Sequence, residues 1–168
     1  MPKIYISLGS NIEPERHLRN ALGCMQHHFY DIRLSPVYEN EAVGFEGAPF
    51  WNLVAECETT LGPMEVSREL KSIEDRNGRL RDGPKFSSRT LDLDLLLYDD
   101  LDLSDQGMDV PRNEITKYAF VLKPLADLTP ELVHPVQGKT MQQLWNAMEG
   151  DAQPMRVVDV ELMSGEGE

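Results

Sequence analysis

The ten residues from Arg89 to Tyr98, Arg-Thr-Leu-Asp-Leu-Asp-Leu-Leu-Leu-Tyr, constrain the fold and chemistry of this chain more than any other segment. Leucine alternates with Asp92 and Asp94, which is the period-two pattern of a half-buried β-strand. Residues two apart in a strand point to the same face, about 6.6 Å apart along the chain. Because Asp is depleted in strands and two like charges on one face repel, the pair predicts a bound cation. An amphipathic strand with two solvated aspartates is the alternative.

Arginines precede this aspartate pair, and together they predict a polyphosphate site. Proteins commonly hold Mg²⁺ through one or two carboxylates plus substrate phosphates. The planar, permanently charged guanidinium group suits phosphate oxygens and offsets charge that develops during phosphoryl transfer. Taken without the aspartates, the arginines would be read as solvated surface residues. The three arginines are Arg79, Arg81 and Arg89.

Composition narrows the class of protein. The chain has 168 residues, 40% of them apolar, which predicts one globular domain over residues 1–163 and a frayed acidic tail over 164–168. A net charge of −13 argues against nucleic acid or an anionic membrane as a partner. Cys24 and Cys57 lack metal-ligand spacing and are predicted to be reduced thiols. With neither a signal peptide nor a membrane-length apolar run, we expect a cytoplasmic protein. We also expect a monomer.

Hydrophobic periodicity and turn residues predict the remaining elements. The order β-α-β-β-α-β is the ferredoxin-like arrangement, an α+β sandwich with helices on one sheet face, here followed by extra C-terminal elements. The other predicted strands are 3–8, 32–39, 50–60 and 155–162; the predicted helices run from Pro14 through Leu18, Ala21, Leu22, Met25 and Phe29, from Pro63 through Val66, Leu70 and Ile73 to a stop at Gly78, and over 117–127 and 140–149.

From residue 4 to about 145 the sequence resembles the 6-hydroxymethyl-7,8-dihydropterin pyrophosphokinases of folate biosynthesis. The stretch from Arg89 to Asp94 is the most specific part of the resemblance. The resemblance implies Mg²⁺-dependent transfer of diphosphate from ATP to the hydroxymethyl group of a reduced pterin, with release of AMP. The other matching motifs are Ser-Leu-Gly-Ser-Asn at 7–11, Phe50-Trp51-Asn52, Glu74, Gly78-Arg79-Leu80-Arg81, Val110-Pro111 and the run Phe-Val-Leu-Lys-Pro-Leu from 120.

The resemblance also implies roles for individual residues. Asp92 and Asp94 would bind two Mg²⁺ ions, and Arg79 and Arg89 would contact the phosphates. The positions that correspond to further ATP contacts are Lys71, Glu74, Arg81, Phe86, Leu95, Arg112, Asn113 and Tyr118.

Pterin recognition is implied at a second group of residues. Phe50 and Phe120 match two ring-stacking positions, and Asn52 matches an amide that reads the pyrimidine edge. The backbone from Asn40 to Val43 would complete the pocket. A flat heteroaromatic ring gains from two stacked faces, and an amide offers both a donor and an acceptor. The alternative is that the two phenylalanines are core residues.

Three departures from the family pattern leave alternatives open. Arg112 stands where the family usually has histidine, Tyr118 where it has arginine, and Asn40-Glu41-Ala42 where it has Thr-Pro-Pro. Arg112 either supplies the cation lost at Tyr118 or lies at the surface. The chain could therefore be a working pyrophosphokinase or a divergent relative with weak or altered transfer. The third hypothesis is a non-catalytic ferredoxin-like binding module.

Overall fold

An antiparallel sheet of six strands carries the fold in this computed structural model, which describes residues 1–41, 47–78 and 91–163. The strands are β1 (Lys3–Ser10), β2 (Phe29–Leu34), β3 (Val37–Asn40), β4 (Phe50–Thr59), β5 (Asp92–Tyr98) and β6 (Arg156–Val158). The strand order is β5-β1-β4-β3-β6, and β2 also pairs with β4, on the same side as β3.

Four α-helices cover the sheet in the described ranges, and they lie on both of its faces. Ile4 and Ile6 pack in one core with the first two helices, whereas Tyr5 packs in a second core with the last two. The two helices of the predicted β-α-β-β-α-β order therefore share one face, as predicted, and the C-terminal helices cover the other face, because β1 and β4 bury apolar side chains on both sides. The helices are α1 (Pro14–Met25), α2 (Pro63–Arg76), α3 (Ala119–Leu128) and α4 (Met141–Met148).

A bulge in β5 decides which face carries the aspartates. The pairing of β5 with β1 goes from Leu95 to Leu97, so Leu96 is an extra residue on the β5 side. Leu96 and Leu97 consequently both pack in the core of α3 and α4. Asp92 and Asp94 are in phase with Leu96 and so lie on the α3 face.

The predicted strand 32–39 is two strands, β2 and β3, which follow one another along the same side of β4. The break falls at Ser35-Pro36, where proline has no N–H for the ladder. The Ser35 hydroxyl instead accepts a 2.9 Å hydrogen bond from the Val54 N–H, and the Ser35 N–H donates to the Val54 carbonyl. The serine side chain thus satisfies the strand across the break.

Phe29 was also assigned wrongly, as the last apolar residue of the first helix. The helix ends at Met25, and Phe29 opens β2, where it pairs with Thr59. Phe29 is nevertheless 2% exposed and belongs to the same core as α1. Its spacing matched a helix because the following strand returns to the core that the helix covers.

The C-terminal elements are close to the prediction except at the last strand. Helices α3 and α4 were predicted within two residues of their observed bounds, and Pro124 lies inside α3. The predicted strand 155–162 pairs with β3 only over Arg156–Val158. Beyond it the chain leaves the sheet, and Leu162 packs into the α1 side of the core at 6% exposure. Residues 164–168 lie outside the described residues.

The cysteines and the helices bear on two predictions made from composition, reduced thiols and the absence of a membrane-length apolar run. Both cysteines are free thiols, and burial raises the pKa of Cys57 to about 12, which keeps it protonated. None of the helices in the described ranges combines the length and apolar character needed to cross a bilayer.

Replacing Ser35 with alanine should destabilise the fold, because the buried Val54 N–H would lose its acceptor. We expect the free energy of unfolding to fall by about 1–3 kcal/mol, measured by urea denaturation. Ser104→Ala is the matched control, since Ser104 lies on an exposed turn. Equal stability of the two variants would show that the serine hydroxyl does not carry the break in the strand.

Candidate active site

One row of residues across four strands places the chemistry on the α3 face of the sheet. Gly9 of β1 pairs with Asp92 of β5 on one side and with Asn52 of β4 on the other. Tyr38 of β3 continues the row beyond Asn52. We call Asp92 and Asp94 on β5 the aspartate column and Asn52 on β4 the amide column. Neighbouring strands are about 4.8 Å apart, so the two columns are separated by two spacings, about 10 Å. A charged column and an amide column therefore lie side by side with only a glycine between them.

Asp94 is held in an electrostatically unfavourable position. Its carboxylate shares one strand face with Asp92, and its side chain is 21% exposed. Burial, together with the charge of Asp92, raises the pKa of Asp94 to about 7. Arg112 opposes this rise, and its guanidinium nitrogen lies 3.4 Å from Asp94 Oδ1. A cation bound between the two aspartates would relieve the same repulsion.

Arg112 turns inward, which answers one question that the sequence left open. Its backbone N–H donates a 2.9 Å hydrogen bond to the Leu96 carbonyl, which fixes the loop against β5. Its side chain lies between Asp94 and Glu114, with Nε 3.4 Å from Glu114 Oε1. Glu114, which the sequence did not single out, thus shares the only basic group that the described residues place on Asp94. Asn113 is exposed, and its N–H donates to Asp109.

Helix α2 brings Glu74 to β5 from the opposite face. The Glu74 carboxylate accepts a 2.6 Å hydrogen bond from the Leu93 N–H and is 2% exposed. Lys71, one turn earlier, is exposed. The side chain of Leu95, a predicted nucleotide contact, lies in the core of α1 and α2. Glu74 therefore anchors the strand that carries both aspartates.

A pair of asparagines fixes the amide column. Asn52 Nδ2 donates a 2.6 Å hydrogen bond to Asn40 Oδ1, and Asn40 Nδ2 donates to the Glu41 carbonyl at 3.0 Å. Because Asn40 is 5% exposed, this chain of hydrogen bonds sets which end of the Asn52 amide faces the site. Asn11, also buried, donates to the Ala48 carbonyl just before β4. The hydrogen bonds made by the side chains of Asn40 and Asn11 were not predicted.

Gly9 is required for this arrangement because the Asn52 carboxamide lies over it. A Cβ atom at position 9 would be 2.8 Å from Asn52 Oδ1, closer than real Cβ contacts. The sequence signal was the Gly-Ser-Asn at the end of β1, which on its own would also suit a simple turn. The function of the glycine is visible only from its partner on β4.

Aromatic residues border the site at the start of β4 and of α3. Phe50 opens β4 and pairs with Asn40, which places it on the same face as Asn52. Phe120 lies in the first turn of α3 and is partly buried. Its ring stacks on that of Tyr118, with centroids 4.9 Å apart and an interplanar angle of 14°. The two predicted stacking residues therefore belong to the α3 side of the sheet.

Several predicted residues cannot be placed in this geometry. They lie outside the described residues, and their roles remain predictions. They are Val43, Arg79, Arg81, Phe86 and Arg89.

The two carboxylates of Asp92 and Asp94 fit a cation that takes most of its ligands from a bound substrate and from water. Within residues 1–41, 47–78 and 91–163, no group of three or more His, Cys, Asp or Glu side chains is arranged to hold a metal ion. Asp92 and Asp94 alone supply two carboxylates on one strand face. Mg²⁺ is typically bound in this way, with substrate phosphates and water completing the octahedron.

The raised pKa of Asp94 predicts a pH-dependent cost in stability without metal. Between pH 4 and 7 the folded state keeps a proton that the unfolded chain releases, so stability falls as pH rises through this interval. Asp94→Asn removes this loss, and its stability relative to wild type should improve from pH 4 to pH 8 by on the order of 1–3 kcal/mol. Urea denaturation in EDTA measures this, with the exposed Asp100→Asn as control. A pH-independent difference would contradict the assignment.

Comparison with known proteins supplies the family. The sequence model of 7,8-dihydro-6-hydroxymethylpterin-pyrophosphokinase (HPPK) matches residues 5–130. A 2-amino-4-hydroxy-6-hydroxymethyldihydropteridine pyrophosphokinase of Pseudomonas aeruginosa is 38% identical over 152 residues, covering 84% of this chain and 89% of that protein. The protein of the same name from Bacillus subtilis is 35% identical, covering 76% and 78%.

Longer proteins also contain a region similar to this chain. The folic acid synthesis protein fol1 of Schizosaccharomyces pombe is 35% identical over 83% of this chain, which spans 19% of that protein. Among solved structures, wild-type HPPK-DHPS of Plasmodium falciparum superposes with a TM-score of 0.67 at 16% identity, over 89% of this chain and 45% of its own. The structural likeness concerns the fold alone. By its sequence, this chain belongs to the 7,8-dihydro-6-hydroxymethylpterin-pyrophosphokinase family.

Proposed function

We propose that this protein transfers diphosphate from ATP to the hydroxymethyl group of 6-hydroxymethyl-7,8-dihydropterin and releases AMP. As a member of its family the chain is an enzyme, an ATP-dependent pterin diphosphokinase of folate synthesis. The observation that carries the specific reaction is the row formed by Asp92, Gly9 and Asn52. In this proposal a cation and phosphates would bind directly beside a flat, hydrogen-bonding ring.

The aspartate column is the proposed phosphate side. Asp92 and Asp94 would hold Mg²⁺, two ions if the resemblance carries over. Bound there, Mg²⁺ would supply positive charge that offsets the charge of the triphosphate. Arg112, which lies 3.4 Å from Asp94 Oδ1, is proposed to move to a phosphate oxygen once a cation neutralises the carboxylate. Arg79 and Arg89 are proposed to contact the same phosphates.

The amide column is the proposed pterin side. The Asn52 carboxamide would pair with the pyrimidine edge, and Asn40 holds it in one orientation. Phe50 and Phe120 would stack on the ring. The pterin hydroxymethyl group would then point along the row over Gly9, toward the phosphates. Positioning of the two substrates, rather than a protein nucleophile, is the proposed source of catalysis.

The topology, the domain bounds, the oligomeric state and the localisation of the protein are also proposals. We propose a ferredoxin-like β-α-β-β-α-β unit, because the order β5-β1-β4 with β2 and β3 beyond it is the order expected of that arrangement. We further propose that residues 1–163 form one domain, that residues 164–168 are a frayed tail and that the protein acts as a cytoplasmic monomer.

AMP release tests the proposed reaction. With ATP, Mg²⁺ and 6-hydroxymethyl-7,8-dihydropterin, the protein should form AMP and the pterin diphosphate, and EDTA should abolish both. Asp92→Ala and Asp94→Ala should each lower turnover by at least about 100-fold, because each removes a charged metal ligand. Exposed Asp100→Ala should leave turnover unchanged.

The failures of this experiment are informative in different ways. Absence of AMP formation by the wild type, with ATP and pterin both bound, would favour the divergent or non-catalytic alternatives. Near-normal turnover by Asp94→Ala would retain the reaction and overturn the metal site.

Gly9→Ala should weaken pterin binding by about 10-fold or more, because the new methyl group displaces the Asn52 carboxamide from its hydrogen bond. Titration calorimetry with 6-hydroxymethylpterin and a non-hydrolysable ATP analogue measures the change. Gly23→Ala is the matched control, since a Cβ there meets nothing within 4 Å. If the two variants bind pterin equally well, Asn52 does not read the ring.

A further inference from the structure

We infer that Tyr118 is a positioning residue for pterin binding. Its ring stacks on one face of the Phe120 ring and holds that ring so that the pterin stacks on the other face. The inference rests on the proposed function, in which Phe120 stacks on the pterin. It also removes Tyr118 from the ATP contacts, where the family resemblance placed it.

The stack itself is the first observation. The rings of Tyr118 and Phe120 are 4.9 Å apart between centroids and only 14° from parallel. Such offset stacking is favourable beyond the area that it buries. One face of Phe120 is thereby occupied, so a flat ligand can stack only on the other face.

The backbone of Tyr118 makes the stack possible. Residues two apart in a helix point in different directions, so they do not normally meet. Tyr118 escapes this because it is extended, with φ −123° and ψ 128°, immediately before α3. Its N–H donates to the Glu114 carbonyl at 3.0 Å, and its own carbonyl accepts from the N–H groups of Val121 and Leu122 at 3.1 and 3.0 Å. Three hydrogen bonds thus fix the residue that supports Phe120.

A cation also contacts the Tyr118 ring. Lys117 Nζ lies 5.5 Å from the centroid of the Tyr118 ring. The Tyr118 ring thus contacts an ammonium group as well as the Phe120 ring. Cation–π attraction therefore adds to the stacking that holds this ring in place.

The geometry also separates Tyr118 from phosphate chemistry. A stacked tyrosine carries no positive charge that could offset the charge of a phosphate group. The basic group that the described residues place beside Asp94 is Arg112, 3.4 Å away. Charge compensation and ring support are thus divided between Arg112 and Tyr118.

Separate binding measurements for the two substrates test the inference. Tyr118→Ala should weaken binding of 6-hydroxymethylpterin, measured by calorimetry with Mg²⁺ and a non-hydrolysable ATP analogue present, by about 3- to 10-fold. Affinity for the ATP analogue alone should change less than about twofold. Tyr118→Phe keeps the stack and should restore pterin binding. Tyr30→Ala, which removes an exposed tyrosine on β2, is the control.

Other results would overturn the inference in distinguishable ways. A loss of ATP affinity in Tyr118→Ala with unchanged pterin affinity would return Tyr118 to the nucleotide site. A Tyr118→Phe variant as weak as Tyr118→Ala would assign the effect to the hydroxyl group. Tyr118→Leu, apolar but unable to stack, gives the same readout if the alanine variant does not fold. Wild-type protein that binds ATP but no pterin would overturn the proposed function and this inference with it.

Discussion

The register of β1 between β4 and β5 is the constraint on which the site depends. Because Gly9 pairs with Asp92 on one side and Asn52 on the other, a slip of one residue would turn either column to the opposite face. The register is itself protected by burial, since β1 sends apolar side chains into cores on both sides of the sheet. The same packing that stabilises the domain therefore aligns two different kinds of chemistry.

The aspartate column shows what this alignment costs. Two carboxylates share a partly buried face, and the described residues bring one arginine to Asp94. A sequence selected for stability alone would place uncharged residues here. Arg112 reduces the repulsion between the two carboxylates but does not cancel it, since the pKa of Asp94 stays raised. Sites that violate local stability rules in this way are expected where function requires them.

Much of the molecule could be predicted from local patterns. Alternation revealed the strand of Asp92 and Asp94, and Pro63 and Gly78 marked the bounds of α2. The failures involve non-local partners. Phe29 follows helical spacing but lies in a strand, and the pairing of β4 with both β2 and β3 depends on a serine hydroxyl.

The site divides along the same line. Residue types and the family resemblance indicated Asp94, Arg112, Asn52 and Phe120. The supports of those residues were hidden. Gly9 and the side chain of Asn40 act through Asn52, which is distant in sequence, and the contact of Glu114 with Arg112 depends on how the loop between them folds. Tyr118 is the clearest case: its substitution type suggested a lost charge, whereas its backbone conformation makes it a stacking partner.

The proline inside α3 has a consequence for this stack. Pro124 has no N–H, so it cannot donate to the carbonyl four residues earlier, which is that of Phe120. The main chain of Phe120 therefore lacks the hydrogen bond that normally ties a first-turn residue into its helix. The side chain of Phe120, in contrast, is restrained by stacking on the Tyr118 ring. The Phe120 ring is thus restrained by the Tyr118 ring and by the core of α3 and α4 against which both rings pack, at a residue whose carbonyl has no N–H donor four residues later.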